Sequence, residues 1–211
     1  MESSTSKENI LRKIRKALAQ PVPLPFPQLD MSAPLYPVPE DDLSVLFASE
    51  FTRLLGQFAY CSSEADLVKQ VSLLLAERKW KEVYCREQPV ISMFQKAGPF
   101  QFTGNTLADC DVSITSCEAL VARTGSIVLS AAMPEGRTAS VYAPVHICVA
   151  RTSQLVYDVK DALQLIQKKY PTDLPSLVTF ATGPSRTADI EKTLVVGVHG
   201  PKEVYCFLVE D

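Results

Sequence analysis

From residue 82 onward the chain alternates short apolar runs with helix-like segments, and this alternation constrains its fold more than any other feature. The apolar runs are 82–85, 111–115, 125–130, 145–150, 177–182 and 204–209. Segments 90–97, 117–123 and 158–170 carry helical patterns between them. Strands alternating with helices predict an α/β domain with a mainly parallel central sheet of five or more strands. Ile147-Cys148-Val149-Ala150 is apolar at every position rather than at every second one, the pattern of a strand covered on both faces. In such sheets ligands bind at the carboxyl ends of strands.

Upstream, the periodicity is helical. Leu43, Leu46, Phe47, Phe51, Leu54, Leu55 and Phe58 predict an amphipathic helix over 40–60. Ser62 or Ser63 can cap a second helix, with Leu67, Val68, Val71, Leu74 and Leu75 as its apolar face. Seven of the fifteen prolines fall in 21–39, which predicts an extended strap. Before it, Ile10, Leu11, Ile14 and Leu18 lie on one face of a helix whose other side holds Arg12, Lys13, Arg15 and Lys16. The expected organisation is an N-terminal helix and strap (1–39), then an α/β domain (40–211) with helices in 40–80 and the sheet core in 82–211.

A length of 211 residues, 46% of them hydrophobic, is ample for one medium core. The net charge of -3 disfavours nucleic acid as a partner. No apolar run approaches the roughly 20 residues of a membrane span, and the basic N-terminal stretch lacks the apolar segment of a secretory signal. None of Cys61, Cys85, Cys110, Cys117, Cys148 and Cys206 forms a C-x-x-C pair. That spacing fits reduced thiols in a cytoplasmic protein and no iron–sulfur cluster in this chain.

Polar chemistry concentrates in a few turns. Gly183-Pro184 ends an apolar run, and Ser185, Arg186 and Thr187 follow where a helix start is expected. A helix start offers unpaired N–H groups and partial positive charge, so this loop reads as an anion receptor or as a plain helix cap. Asp189, Glu191 and His199 lie within reach of it in sequence. A second turn, Thr124-Gly125-Ser126, suits a phosphate or carboxylate or is simply tight. Gly136-Arg137 adds a cation at what could be the same mouth. If these turns form one cleft, the strand from Gly125 must run antiparallel to the strand from Leu177. Glu118, at the carboxyl end of a strand, is a candidate nucleophile or base, or a helix first-turn carboxylate. His146 and His199 are the only histidines. They are candidate proton carriers, or structural groups that tie down loops. No H-x-x-x-H, G-x-G-x-x-G, G-K-[ST] or G-x-S-x-G motif occurs, so no metal is expected, and neither dinucleotide binding nor serine hydrolysis has a signature.

Taken together, Thr124-Gly125-Ser126, Gly136-Arg137, Pro144-Val145-His146-Ile147, the nine residues from Gly183 to Glu191, and Gly197-Val198-His199-Gly200-Pro201 resemble the signature of the LUD-domain family, which includes the lactate utilization protein C group. The resemblance extends from about residue 82 to 211. It implies a fold like that of ribose-5-phosphate isomerase, glucosamine-6-phosphate deaminase, the CoA-transferases and 5-formyltetrahydrofolate cyclo-ligase. It also implies a part in oxidising L-lactate to pyruvate beside iron–sulfur partner proteins. Two positions depart from the family pattern. Arg123 stands where many relatives carry an acidic residue, and Ser116-Cys117-Glu118-Ala119-Leu120 replaces a small-residue stretch. The expectation is a cytoplasmic lactate-utilization subunit, its cofactor unidentified, that binds a small anionic metabolite at Thr124, Gly125, Ser126, Arg137, Ser185, Arg186, Thr187, Asp189 and Glu191, with Glu118, His146 and His199 as catalytic candidates. Two alternatives stand beside it. One is an autonomous transferase, isomerase or ligase acting on a phosphorylated or CoA-linked substrate; the other is a non-catalytic scaffold for the redox partners.

Overall fold

The computed structural model describes residues 6–19, 36, 42–188 and 194–211. Contacts divide the chain into Met1–Val38 and Pro39–Asp211. The first unit contributes one helix, α1 (Ser6–Leu18), whose apolar residues Ile10, Leu11, Ile14 and Leu18 are all exposed. Most of the proline-rich segment lies outside the described residues.

The second unit runs α2 (Leu43–Arg53), β1 (Gln57–Cys61), α3 (Glu64–Arg78), β2 (Val83–Tyr84), α4 (Gln88–Ala97), β3 (Val112–Thr115), β4 (Ala119–Val121), β5 (Ser126–Ser130), α5 (Ala139–Tyr142), β6 (Val145–Arg151), β7 (Leu155–Val156), α6 (Val159–Lys169), β8 (Val178–Ala181), β9 (Arg186–Ala188), β10 (Leu194–Val196) and β11 (Glu203–Val209). Five strands form the central sheet in the order β1-β11-β6-β3-β2, and every neighbouring pair is parallel. A second sheet, β7-β4-β5-β8, is mostly antiparallel. A two-stranded ribbon, β9-β10, stands apart from both.

The protein is therefore α/β with a parallel central sheet. Its layering explains the unbroken apolar strands. Val145, Ile147 and Val149 of β6 point to one face and pack with Leu67 and Val71 of α3 and Phe94 of α4. Cys148 and Ala150, on the other face, meet Ile127 and Leu129 of β5 and Phe47 and Phe51 of α2. Beyond the second sheet, Ala162 and Ile166 of α6 cover Ala119, Val121 and Val128. Each strand period thus buries both of its faces, and the hydrophobic effect favours that burial at about 25 cal/mol per Å². All six cysteines are free and buried.

Three expectations need correction. The segment 117–123 is not helical: β4 and a 3₁₀ turn (Ala122–Thr124) occupy it, because pairing with β5 and β7 overrides a helix-favouring composition. The helix expected over 40–60 stops at Arg53, where Leu55 enters left-handed backbone (φ 70°), and Gln57–Cys61 becomes an edge strand of the central sheet. Ser185–Thr187 does not start a helix; Arg186–Ala188 is strand β9, paired antiparallel with β10.

Candidate functional site

The two glycine-rich loops that flank the β9-β10 ribbon are locked together. Ser185 N–H donates to the Pro201 carbonyl at 2.9 Å, and Gly197 N–H donates to the Ser185 carbonyl at 2.9 Å. Gly200 lies so close that a Cβ there would come within 2.9 Å of Ser185 Cβ. Without a helix at Ser185 there is no helix dipole there to attract an anion. Ser185 and Thr187 are half-buried and Arg186 is exposed. Asp189 and Glu191 lie outside the described residues. His199, exposed, lines a cleft of about 470 Å³ with Lys202, Tyr142, Pro144 and Val198. Pro144 precedes β6 and Lys202 precedes β11, so this cleft opens at the amino ends of central strands.

The Thr124–Ser126 turn joins the other end of the same segment. β5 and β8 are antiparallel, the arrangement that a shared mouth required. Thr124 Oγ1 and Ser126 Oγ are 2.7 Å apart, and Ser126 Oγ reaches Thr182 Oγ1 at 2.9 Å. These hydroxyls satisfy one another. Both turns also press on the end of α2. A Cβ on Gly125 (φ 58°) would stand 2.6 Å from Phe51 N, and one on Gly183 (φ 84°) would run into the Leu54 carbonyl oxygen. The carboxyl end of a helix carries partial negative charge, so this surface disfavours an anion. Arg137 is at the opposite end of β8, where its Nη2 donates to Ser176 Oγ. Arg123 pairs with Asp158 at 2.7 Å, and Asp158 caps α6.

Glu118 and His146 are interior groups. The Glu118 side chain is wholly buried. Its Oε1 accepts from Ser130 Oγ (2.6 Å) and Tyr170 OH (3.0 Å), and its Oε2 accepts from Lys169 Nζ (2.7 Å). Desolvation pushes its pKa up, but these three donors outweigh it and hold the carboxylate below its usual range. His146 is buried, with Nε2 2.8 Å from Thr115 Oγ1, and burial pushes its pKa down to about 4.

One grouping has no counterpart in the sequence reading. Glu87, buried at the start of α4, accepts from Ser116 N–H (3.1 Å) and Ser116 Oγ (2.5 Å). Desolvation is the main cause that holds its pKa above the usual value. Ser116 lines a second cleft, of about 450 Å³, that also holds Lys96, Glu64 and Arg151. The sequence signal available was positional: Ser116 follows β3 and Arg151 ends its parallel neighbour β6. Among the described residues no three His, Cys, Asp or Glu side chains group to hold a metal ion. No helix among them is long and apolar enough to cross a membrane.

The model of the LUD domain matches residues 46–209. Lactate utilization protein C 1 of Bacillus mycoides (strain KBAB4) is 30% identical over 190 residues, which cover 82% of this chain and 81% of that protein. Lactate utilization protein C of Bacillus licheniformis is 35% identical over 103 residues, and that of Bacillus subtilis (strain 168) is 36% identical over 103 residues. In each of these two, the match spans 48% of this chain and 43% of the relative's own length. A crystal structure of a DUF162 family protein from Deinococcus radiodurans shares the fold, with a TM-score of 0.56 and 20% identity, covering 82% of this chain and 99% of that one. The chain belongs to the LUD domain family.

Proposed function

We propose that this chain is a cytoplasmic subunit of lactate utilization, serving the oxidation of L-lactate to pyruvate beside iron–sulfur partner proteins. The observation that carries this reading is the alignment with a protein named Lactate utilization protein C 1 along most of both chains. The subunit's own task is to bind a small anionic metabolite at the cleft beside the interlocked loops. There Lys202 supplies a cation, His199 an imidazole and Tyr142 a hydroxyl. Ser185 sets the loop spacing through its two backbone bonds. Thr124, Ser126 and Arg137 act as framework around it, because each is already engaged by a neighbouring side chain. The rival reading, a transferase with Glu118 as nucleophile, requires a carboxylate that meets substrate. Glu118 is instead enclosed by three donors.

Deleting the gene in its own host should abolish growth on L-lactate and spare growth on glucose. The unaltered gene should restore growth on lactate, and His199→Ala with Lys202→Ala should not. L-lactate or pyruvate should raise the melting temperature of the purified protein, because a ligand that binds only the folded state stabilises it. Normal lactate oxidation by the deletion strain would end this reading.

A further inference from the structure

The cleft containing Ser116 lies at the carboxyl ends of β3 and β6, the opposite edge of the central sheet from the His199 cleft. Its volume, about 450 Å³, is in the range of small-molecule sites, roughly 300–1,000 Å³. Its lining is two-sided. Pro89, Val90 and Met93 of α4, with Val149 of β6, give an apolar wall; Lys96 and Arg151 supply two cations and Glu64 one carboxylate.

The polar side is held in place. Glu87 grips Ser116 through both its N–H and its hydroxyl. Arg151 N–H donates to Gln154 Oε1 at 2.8 Å, and Gln154 Nε2 donates to the Cys117 carbonyl at 2.5 Å. The Arg151 guanidinium gives one nitrogen to Glu64 and is itself 39% exposed, so it retains donors that solvent can reach. The first turn of α4, which carries Pro89 and Val90, has no side-chain cap. Pro89 has no N–H, so the Val90 N–H is what this turn offers, and it adds partial positive charge to the same opening. A guanidinium fork, an ammonium and a helix start together suit a phosphate. The apolar wall suits a flat ring.

We propose that this cleft binds an organic phosphate of mononucleotide size, with the phosphate on Arg151, Lys96 and the start of α4 and the ring against Val90, Met93 and Val149. The site is separate from the metabolite cleft at His199 and does not depend on the lactate reading.

The test is calorimetric titration of the full-length protein with AMP and with FMN, using inorganic phosphate as the fragment control. At least one of the two nucleotides should bind, and inorganic phosphate should bind at least about tenfold more weakly, since it lacks the ring contact. Met93→Trp, which fills the apolar side, and Lys96→Glu, which reverses an exposed charge, should each weaken the nucleotide about tenfold or more. Both variants should keep the far-ultraviolet circular dichroism of the parent, and His199→Ala should leave nucleotide binding unchanged. The proposal is overturned if neither nucleotide binds at millimolar concentration. It is also overturned if binding survives both cleft variants, or if phosphate alone binds as tightly as the nucleotides.

Discussion

Replacing Glu118 by Gln separates a structural carboxylate from a reactive one. Glutamine keeps the shape of Glu118, and its amide oxygen can still accept from Ser130 Oγ and Tyr170 OH. What it loses is the bond from Lys169, since an amide nitrogen then faces an ammonium, donor against donor. A hydrogen bond to a charged group contributes about 1.5–3 kcal/mol. Lys169 is 53% exposed, so solvent screening reduces its share to about 1 kcal/mol. Weakening of the two remaining bonds, now to a neutral acceptor, brings the expected loss to about 1–2 kcal/mol. For a chain of this size that lowers the melting temperature by roughly 2–8 °C. Glu118→Ala removes all three bonds and leaves a cavity, and should cost about 3–5 kcal/mol. The assay is urea denaturation of the three proteins at several pH values. Because the folded-state pKa of Glu118 is lowered, its charge stabilises the protein above the unfolded value of about 4.3 and stops doing so as pH falls through the folded value. The gap between Glu118→Gln and the parent should therefore close in acid below about pH 4. If Glu118→Gln matched the parent in stability at pH 7 yet lost metabolite binding, the carboxylate would be functional and the structural account refuted.

Two further outcomes follow from the same geometry. Gly125→Ala and Gly183→Ala combine left-handed backbone with contact on the α2 end, so each should lower stability by roughly 2–5 kcal/mol in urea denaturation; a loss under about 0.5 kcal/mol would contradict the close approach. His146 has a folded pKa of about 4 against an ordinary 6.5, so the unfolded chain binds the proton more readily. Its contribution is complete above pH 6.5 and is lost as pH falls toward 4. His146→Gln should flatten the stability profile within that window, and an unaltered profile would count against a neutral buried imidazole.

The strands of the central sheet were legible where the apolar run was long. Residues 145–150 and 204–209 lie in β6 and β11, and the run at 111–115 contains β3. Short elements that exist only through pairing were not. Three residues, Ala119–Val121, have no measurable period, and their helix-favouring neighbours hid β4. Phe58 continues the apolar spacing of α2, so β1 looked like more helix. Gly-Pro-Ser before Arg186 carries the signs of a helix start, but Ser185 spends its backbone on the 197–201 loop, which no local window contains. For the same reason Glu87 and Ser116, twenty-nine residues apart, gave no joint signal. Glu118 was noticed, but a single carboxylate in sequence does not reveal that a serine, a lysine and a tyrosine will enclose it.

The strand order has a consequence for how the protein comes into being. β11 fills the slot between β1 and β6, although 141 residues separate the end of β1 from the start of β11. Until Val204–Val209 leaves the ribosome, two parallel edges and the apolar faces meant for Phe207 and Leu208 stay open. A nascent chain can assemble its helices and the β3-β6 pair early, yet it cannot seal its core. Such a fold closes slowly, because distant segments must meet before their contacts repay the entropy of closing the loop. In the interval its unpaired edges invite association with other chains, which makes β11 a determinant of yield as well as of stability.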